Sequence, residues 1–296
     1  MQYPLNADLQ KDGSYLPKDD ITHMQTLVVT YAKHKQELLT QCKTMYRWLE
    51  PQPHTIIINE PTMDKCLAWR RWYDRWCAPH LGNRSTTILY APEIIEQHLS
   101  TEIRNRDGYI KQQVFKLWFG REQSAPYLVL DDKNWFTRKV VVAEQPRQPR
   151  LFDPHLHTTY RGFTRSLERL WKRKIHMVRR IETPYVLDPR VLQGAVDQGW
   201  NGSWLNMLSW LARSDTPSEF ILYDCVAQWQ GMETDPGSIA SSTLWNSDHD
   251  GKFPMREFRT RCELFPVIAV HKTWRNRVSF QKLEHHLLYG RFASSE

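Results

Sequence analysis

Between residues 26 and 130 short β-branched apolar runs alternate with segments of helical periodicity, and no other feature constrains the fold as strongly. The first run is Thr26, Leu27, Val28, Val29, Thr30 and Tyr31; the others are 55–59 (TIIIN), 86–90 (TTILY) and 127–130 (YLVL). Each is too short for a helix and rich in side chains that suit a pleated, buried surface. Residues 33–49 carry Leu38, Leu39, Cys42, Met45, Tyr46 and Leu49 at helical spacing, and Pro51 and Pro53 break the pattern. Residues 63–77 predict a Trp-rich helix and 109–119 a third helix. The rhythm predicts an α/β fold, a mostly parallel sheet with helices on both faces. Ligands of such sheets bind at the carboxyl ends of the strands. Asp131 and Asp132 stand at one of those ends.

Composition bears on partners and compartment. The hydrophobic fraction of 41% can fill a core, so global disorder is excluded. A net charge of +7, a pI near 9.1 and 13 Trp residues suit phosphates and stacked sugars or bases. Each also has an ordinary explanation, since many proteins are basic and most Trp side chains are core. No stretch approaches the roughly 18 consecutive apolar residues needed to span a bilayer. The polar first twenty residues lack the apolar centre of a signal peptide, so the expected place is the cytoplasm of a bacterium or an infected host cell. The five cysteines show no paired spacing, which argues against a zinc site or a disulfide framework.

After residue 142 the texture changes. Residues 144–150 read as a linker, and 162–181 as a basic helical insertion. Phe163, Leu167, Leu170, Trp171, Met177, Val178 and Ile181 fall on one side of that helix. Arg165, Arg169, Lys172, Arg173, His176, Arg179 and Arg180 fall on the other. Like charges at this spacing repel, so a one-signed face suggests a polyanion such as nucleic acid; the plainer alternative is a solvated face. Further on, 185–187 read as a short strand, Asp188-Pro189 and Ser218-Glu219 as helix starts, and 265–271 as a strand ending in His271. The expected organisation is a flexible arm, 1–20, and a single domain, 21–296. Its donor half is about 21–143 and its acceptor half about 144–296.

Four segments, in order, are TLVVTYAKHKQELLTQC, then GYIKQQVFKLWFG with YLVLDDKNWF, then SEFILYDCVAQW, then FPVIAVHKTW. Together they resemble the GT-A glycosyltransferases, within which the chain is similar to bacterial and phage proteins related to capsular-polysaccharide glycosyltransferases. The resemblance implies a Rossmann-type mixed sheet, a nucleotide-sugar donor (a UDP-sugar foremost) and a divalent cation, Mn²⁺ or Mg²⁺. It puts Thr30, Tyr31 and Lys33 beside the base and ribose, and Asp131, Lys133 and Asn134 at the donor. Gln112 and Lys116, one helical turn apart, could reach the donor, or lie on the surface, Lys116 above all. Asp131, Asp132 and His271 are the implied metal ligands. Transfer requires charge on the departing diphosphate to be neutralised, by a metal ion or by Lys and Arg side chains. The third position of the aspartate motif, usually acidic, is Lys133, which departs from the pattern and opens the second route. A plain strand-end turn is the structural reading of Asp131 and Asp132.

Asp132 and Glu219 are the catalytic candidates. Glu219 could take a proton from an acceptor hydroxyl, or simply favour a helix start. Asp248 and Asp250 are rivals for that role, in what reads more readily as a polar loop. For the acceptor, the basic face and the Trp content favour hydroxymethylated bases of phage-type DNA, which would need base opening. A capsular or surface polysaccharide is the alternative. A nucleic-acid-binding protein without catalysis is the alternative of another class.

Overall fold

The computed structural model describes residues 24–142, 151–179, 182–231, 240–244, 253–271, 274 and 279–289. The arm at 1–20, the linker at 144–150, Arg180, Asp248 and Asp250 lie outside the described residues. Strand β1 (Gln25–Thr30) leads through a single 3-10 turn into α1 (Lys35–Trp48). Leu38, Cys42 and Met45 of α1 are fully buried at the spacing the sequence shows, and burying Leu38 and Met45 is worth about 1.5–3 kcal/mol each. Strand β2 (His54–Ile58) precedes α2 (Met63–Trp76), whose first turn is capped by the Thr62 side chain accepting from the Lys65 N–H. Strand β3 (Thr86–Tyr90) is followed by α3 (Ala91–His98), the short α4 (Thr101–Arg104) and α5 (Gly108–Arg121). Strands β4 (Tyr127–Leu130) and β5 (Asn134–Phe136) are separated by the turn that holds the aspartates.

The main sheet has the order β3-β2-β1-β4-β8, where β8 is Tyr185–Leu187. The first four strands run parallel, and β8 pairs antiparallel with β4. This is the predicted mixed α/β architecture. Leu27 and Val29 face a core shared with α5, while Val28, Ile56 and Leu130 face one shared with α1 and α2. From β1 the chain moves outward to β2 and β3, then crosses back so that β4 pairs on the other side of β1. The strand order therefore reverses between β1 and β4, the switch point at whose carboxyl ends open α/β sheets take their ligands.

Helix α6 (Arg161–Trp171) follows the short β6 (Leu151–Phe152), and β7 (Val178–Arg179) pairs back on β6. The expected helix over 162–181 thus stops ten residues early. Lys172 takes a left-handed conformation (φ 53°), and the Glu168 carboxylate accepts the Ile175 N–H at 3.0 Å, drawing the chain back across the helix end. Helices α7 (Pro189–Trp200), α8 (Trp204–Arg213) and α9 (Glu219–Trp229) join α5 in one core. Asp188 and Ser218 cap α7 and α9 as their sequence predicts. A second sheet, β5-β10-β9, contains β9 (Ser241–Leu244) and β10 (Val267–Val270), flanked by α10 (Met255–Leu264) and α11 (Phe280–Tyr289). Among the described residues no helix is long and apolar enough to cross a membrane.

Candidate active site at the ends of β1 and β4

The β1–β4 register pairs Val28 with Leu130, so Thr30 lies level with Asp132 just beyond β4. The Thr30 hydroxyl donates to Asp132 Oδ2 at 3.0 Å, and His34 Nδ1 lies 2.6 Å from the same oxygen. Asp132 is 5% exposed. Its carboxylate is therefore turned toward β1, where it ties the two strand ends together.

Asp131 faces the other way, toward two ammonium groups. Lys116 Nζ is 3.4 Å from Oδ1 and Lys133 Nζ is 3.6 Å from Oδ2. Burial opposes a charge on Asp131, yet Lys116 and Lys133 outweigh it and hold the carboxyl well below the usual carboxylate range. Lys116, expected at the surface, is 3% exposed, because α5 is enclosed between the sheet and α7–α9. Its ammonium reaches Glu219 Oε1 at 2.9 Å and lies over the Phe220 ring. Burial disfavours the Lys116 charge, but Glu219 and Asp131 more than restore it, so the lysine stays protonated above its ordinary range. Glu219 is 1% exposed, and burial raises its carboxyl despite the opposing pull of Lys116. The Gln113 amide, with its nitrogen turned to Glu219, donates to the same carboxylate.

The remaining candidates separate into near and remote. Gln112 donates to the Val29 carbonyl at 3.2 Å, so its amide braces β1. Tyr31 donates its hydroxyl to the Gly108 carbonyl, and burial lifts its phenol above the ordinary range, keeping it neutral. Lys33 is exposed and lies over the Tyr31 ring. Asn134 does not face solvent. It is fully buried, its Oδ1 accepts the Asp131 N–H at 2.6 Å, and its amide donates to the Thr183 carbonyl, so it closes the turn. Gln41 braces the same turn by donating to the carbonyl oxygens of Asp131 and Asn134. Glu219 cannot present a free carboxylate to an acceptor hydroxyl, because Lys116 and Gln113 occupy it and solvent does not reach it; the structure makes it the anchor of Lys116. His271 follows β10 in the second sheet, with its N–H donating to the Leu244 carbonyl.

The expected metal shell does not fit this donor set. Among the described residues no three His, Cys, Asp or Glu side chains gather in a metal-binding group, so Asp131, Asp132 and His271 do not form one. Both oxygens of Asp131 already face ammonium groups. A divalent ion about 4 Å from an ammonium meets a repulsion of order 8 kcal/mol at an effective dielectric of about 20.

The basic face is also smaller than expected. Arg165, Arg169, Lys172 and Arg173 are exposed, and Arg173 lies over the Trp229 ring. Arg179 is buried instead; its N–H donates to Asp224 Oδ2 at 2.7 Å and its guanidinium pairs with the same carboxylate. It is unavailable to a polyanion because β7 carries it inward against α9.

Sequence reasoning missed His34 and Gln113. Gln113 had a usable signal, since it and Lys116 are the polar residues, three apart, of the stretch 113–120 (QVFKLWFG). His34 had none, because its proximity to Asp132 depends on strand pairing.

Fold and site together define a class: a doubly wound mixed α/β chain with a charged cluster at its topological switch point. Among solved structures, the galactosyltransferase LgtC in complex with donor and acceptor sugar analogs is 11% identical, with 89% of this chain and 95% of that chain covered and a TM-score of 0.44. An active-site mutant of LgtC is 10% identical, with the same 89% and 95% covered and a TM-score of 0.45. Apo mouse xyloside xylosyltransferase 1 is 7% identical, with 84% and 98% covered and a TM-score of 0.41. No protein-family profile and no curated protein matches the chain. The architecture stands on the strand order and register.

Proposed function

We propose that this chain is a nucleotide-sugar-dependent glycosyltransferase whose donor occupies the crevice at the ends of β1 and β4. The observation that carries the reading is the charged constellation at the switch point, with Asp131 set between Lys116 and Lys133 at the end of β4. Open α/β sheets take their ligands at this place, and a nucleoside diphosphate brings an anion that the partly exposed Lys133 ammonium matches. In the reaction the bond from the anomeric carbon to the diphosphate oxygen breaks and its electron pair leaves with the diphosphate. An acceptor hydroxyl oxygen bonds to the anomeric carbon, and its proton passes to water or a nearby base. Tyr31 and exposed Lys33, just past β1, are assigned to the base and ribose in this reading. Thr30 and His34 hold Asp132, which ties the ends of β1 and β4 together.

For the acceptor, Arg165, Arg169, Lys172 and Arg173 support a phosphate-bearing polymer, with hydroxymethylated DNA the first choice. Helix α6 starts beside the Glu219-bearing end of α9, where Thr216 donates to the Thr159 carbonyl at 2.7 Å. The experiment offers a panel of nucleotide sugars with hydroxymethylated DNA and an oligosaccharide as competing acceptors, and reads products by mass spectrometry. Transfer to either acceptor is expected, and Asp131→Asn should lower it by about 10²–10³-fold. Near-normal rates in a folded Asp131→Asn variant would remove the site assignment. A protein that only binds nucleic acid would neither transfer nor hydrolyse any donor.

A further inference from the structure

Lys133 and Lys116 differ in freedom in a way that assigns them different work. Lys116 is clamped: its side chain is 4% exposed, bound to Glu219 at 2.9 Å and packed over Phe220. Lys133 is 31% exposed, and its ion pair to Asp131 is long, at 3.6 Å. Its backbone, in contrast, is rigid, because Asn134 and Gln41 close the turn on both sides. The turn thus presents a partly exposed, loosely paired ammonium from a fixed base at the end of β4. At rest two carboxylates, Asp131 and Glu219, face two ammoniums, Lys116 and Lys133; when Lys133 swings to an incoming diphosphate, Asp131 keeps its contact with Lys116, which it then shares with Glu219. A divalent ion has no comparable place, since Asp131 meets an ammonium at each oxygen and Asp132 is committed to Thr30 and His34.

We infer that Lys133, braced by the Asp131–Lys116–Glu219 chain, neutralises the departing diphosphate in place of a divalent cation, so that the transferase works without metal. The inference rests on the glycosyltransferase reading above and adds to it the means by which the leaving group is stabilised. An ammonium on a fixed backbone supplies the charge at the leaving oxygen without proton transfer, and a neutral side chain at the same place cannot.

The test uses the full chain, a nucleoside diphosphate and Mn²⁺. Calorimetry measures diphosphate affinity with Mn²⁺ and with chelator, and turnover is measured on the donor found active. The wild type should bind and turn over equally in both conditions. Lys133→Met should lose about 10²–10³-fold in turnover, the range seen when one transition-state donor is removed. Lys133→Arg, which keeps the charge, should retain most of it, separating charge from packing. Lys133→Asp should lose diphosphate affinity in chelator and regain it with Mn²⁺, since it restores the usual acid at the third position. A wild type that binds diphosphate and turns over only with Mn²⁺ overturns this inference and leaves the glycosyltransferase reading intact. So does a folded Lys133→Met variant with undiminished turnover. A wild type that neither binds a diphosphate nor uses any nucleotide sugar, with or without Mn²⁺, overturns both.

Discussion

Lys116 stands in the interior of the protein, and a buried ammonium is stable only where carboxylates and hydrogen bonds replace water. Glu219 at 2.9 Å and Asp131 at 3.4 Å do so here. Removing one partner leaves the other buried and unpaired, so Lys116→Met should destabilise by about 3–5 kcal/mol. Adding Glu219→Gln should recover much of that loss, because the stranded carboxylate disappears as well. Urea denaturation of the two variants measures both quantities. A loss below about 1 kcal/mol in Lys116→Met would mean that the pair does not hold this region together. At this scale the sequence marked Asp131, Asp132, Lys116 and Glu219 but not their pairing. Glu219 follows a capping serine and reads as an ordinary first-turn acid until α9 is laid against α5.

Helix α6 shows the same division at the scale of an element. Its apolar stripe, with Phe163 and Leu167 buried, was legible as periodicity, and so was the cationic face of Arg165 and Arg169. Its end was not, because periodicity continued through residues that tertiary packing pulls into β7. The exposed cations now stand on α6 and the first residues past it. Changing Arg165, Arg169 and Arg173 together to Gln should weaken DNA binding and flatten its salt dependence, since the variant neutralises fewer phosphates and so displaces fewer counterions. Affinity measured across salt concentrations reads the slope. An unchanged slope would remove α6 from the acceptor surface and turn the proposal to a glycan acceptor. Donor hydrolysis should stay nearly intact in the triple variant, because none of the three touches the crevice cluster.

For the molecule as a whole, His54 links stability to pH. It lies on β2, 1% exposed, with Nδ1 2.6 Å from the Thr26 hydroxyl. Burial, with Arg84 nearby, lowers its imidazole to about 3. The unfolded chain therefore takes up a proton near the ordinary histidine value of about 6.5, while the folded chain does not until far lower. The stability is fully present above about pH 6.5 and falls as pH drops toward 3, with a limiting slope of ~1.4 kcal/mol per pH unit. His54→Val, a residue suited to a strand, should lack that component. Urea denaturation of both proteins between about pH 7 and pH 4 gives the difference in slope, which isolates His54 from other titrating groups. Equal slopes would show that His54 is protonated within the fold. The sequence by itself determined the strands β1 to β4, the helices α1, α2 and α5 among them, and hence the parallel sheet, because short β-branched runs and helical periods are local signals; α3 and α4 it did not mark. It also determined that Asp131 and Asp132 would end a strand. Only the tertiary structure decided that Asp132 turns to Thr30 and His34, that Asp131 lies between two lysines, and that Lys116 is interior. Those facts depend on β4 crossing back beside β1 and on α9 closing over α5, which join segments about 100 residues apart that no local pattern encodes.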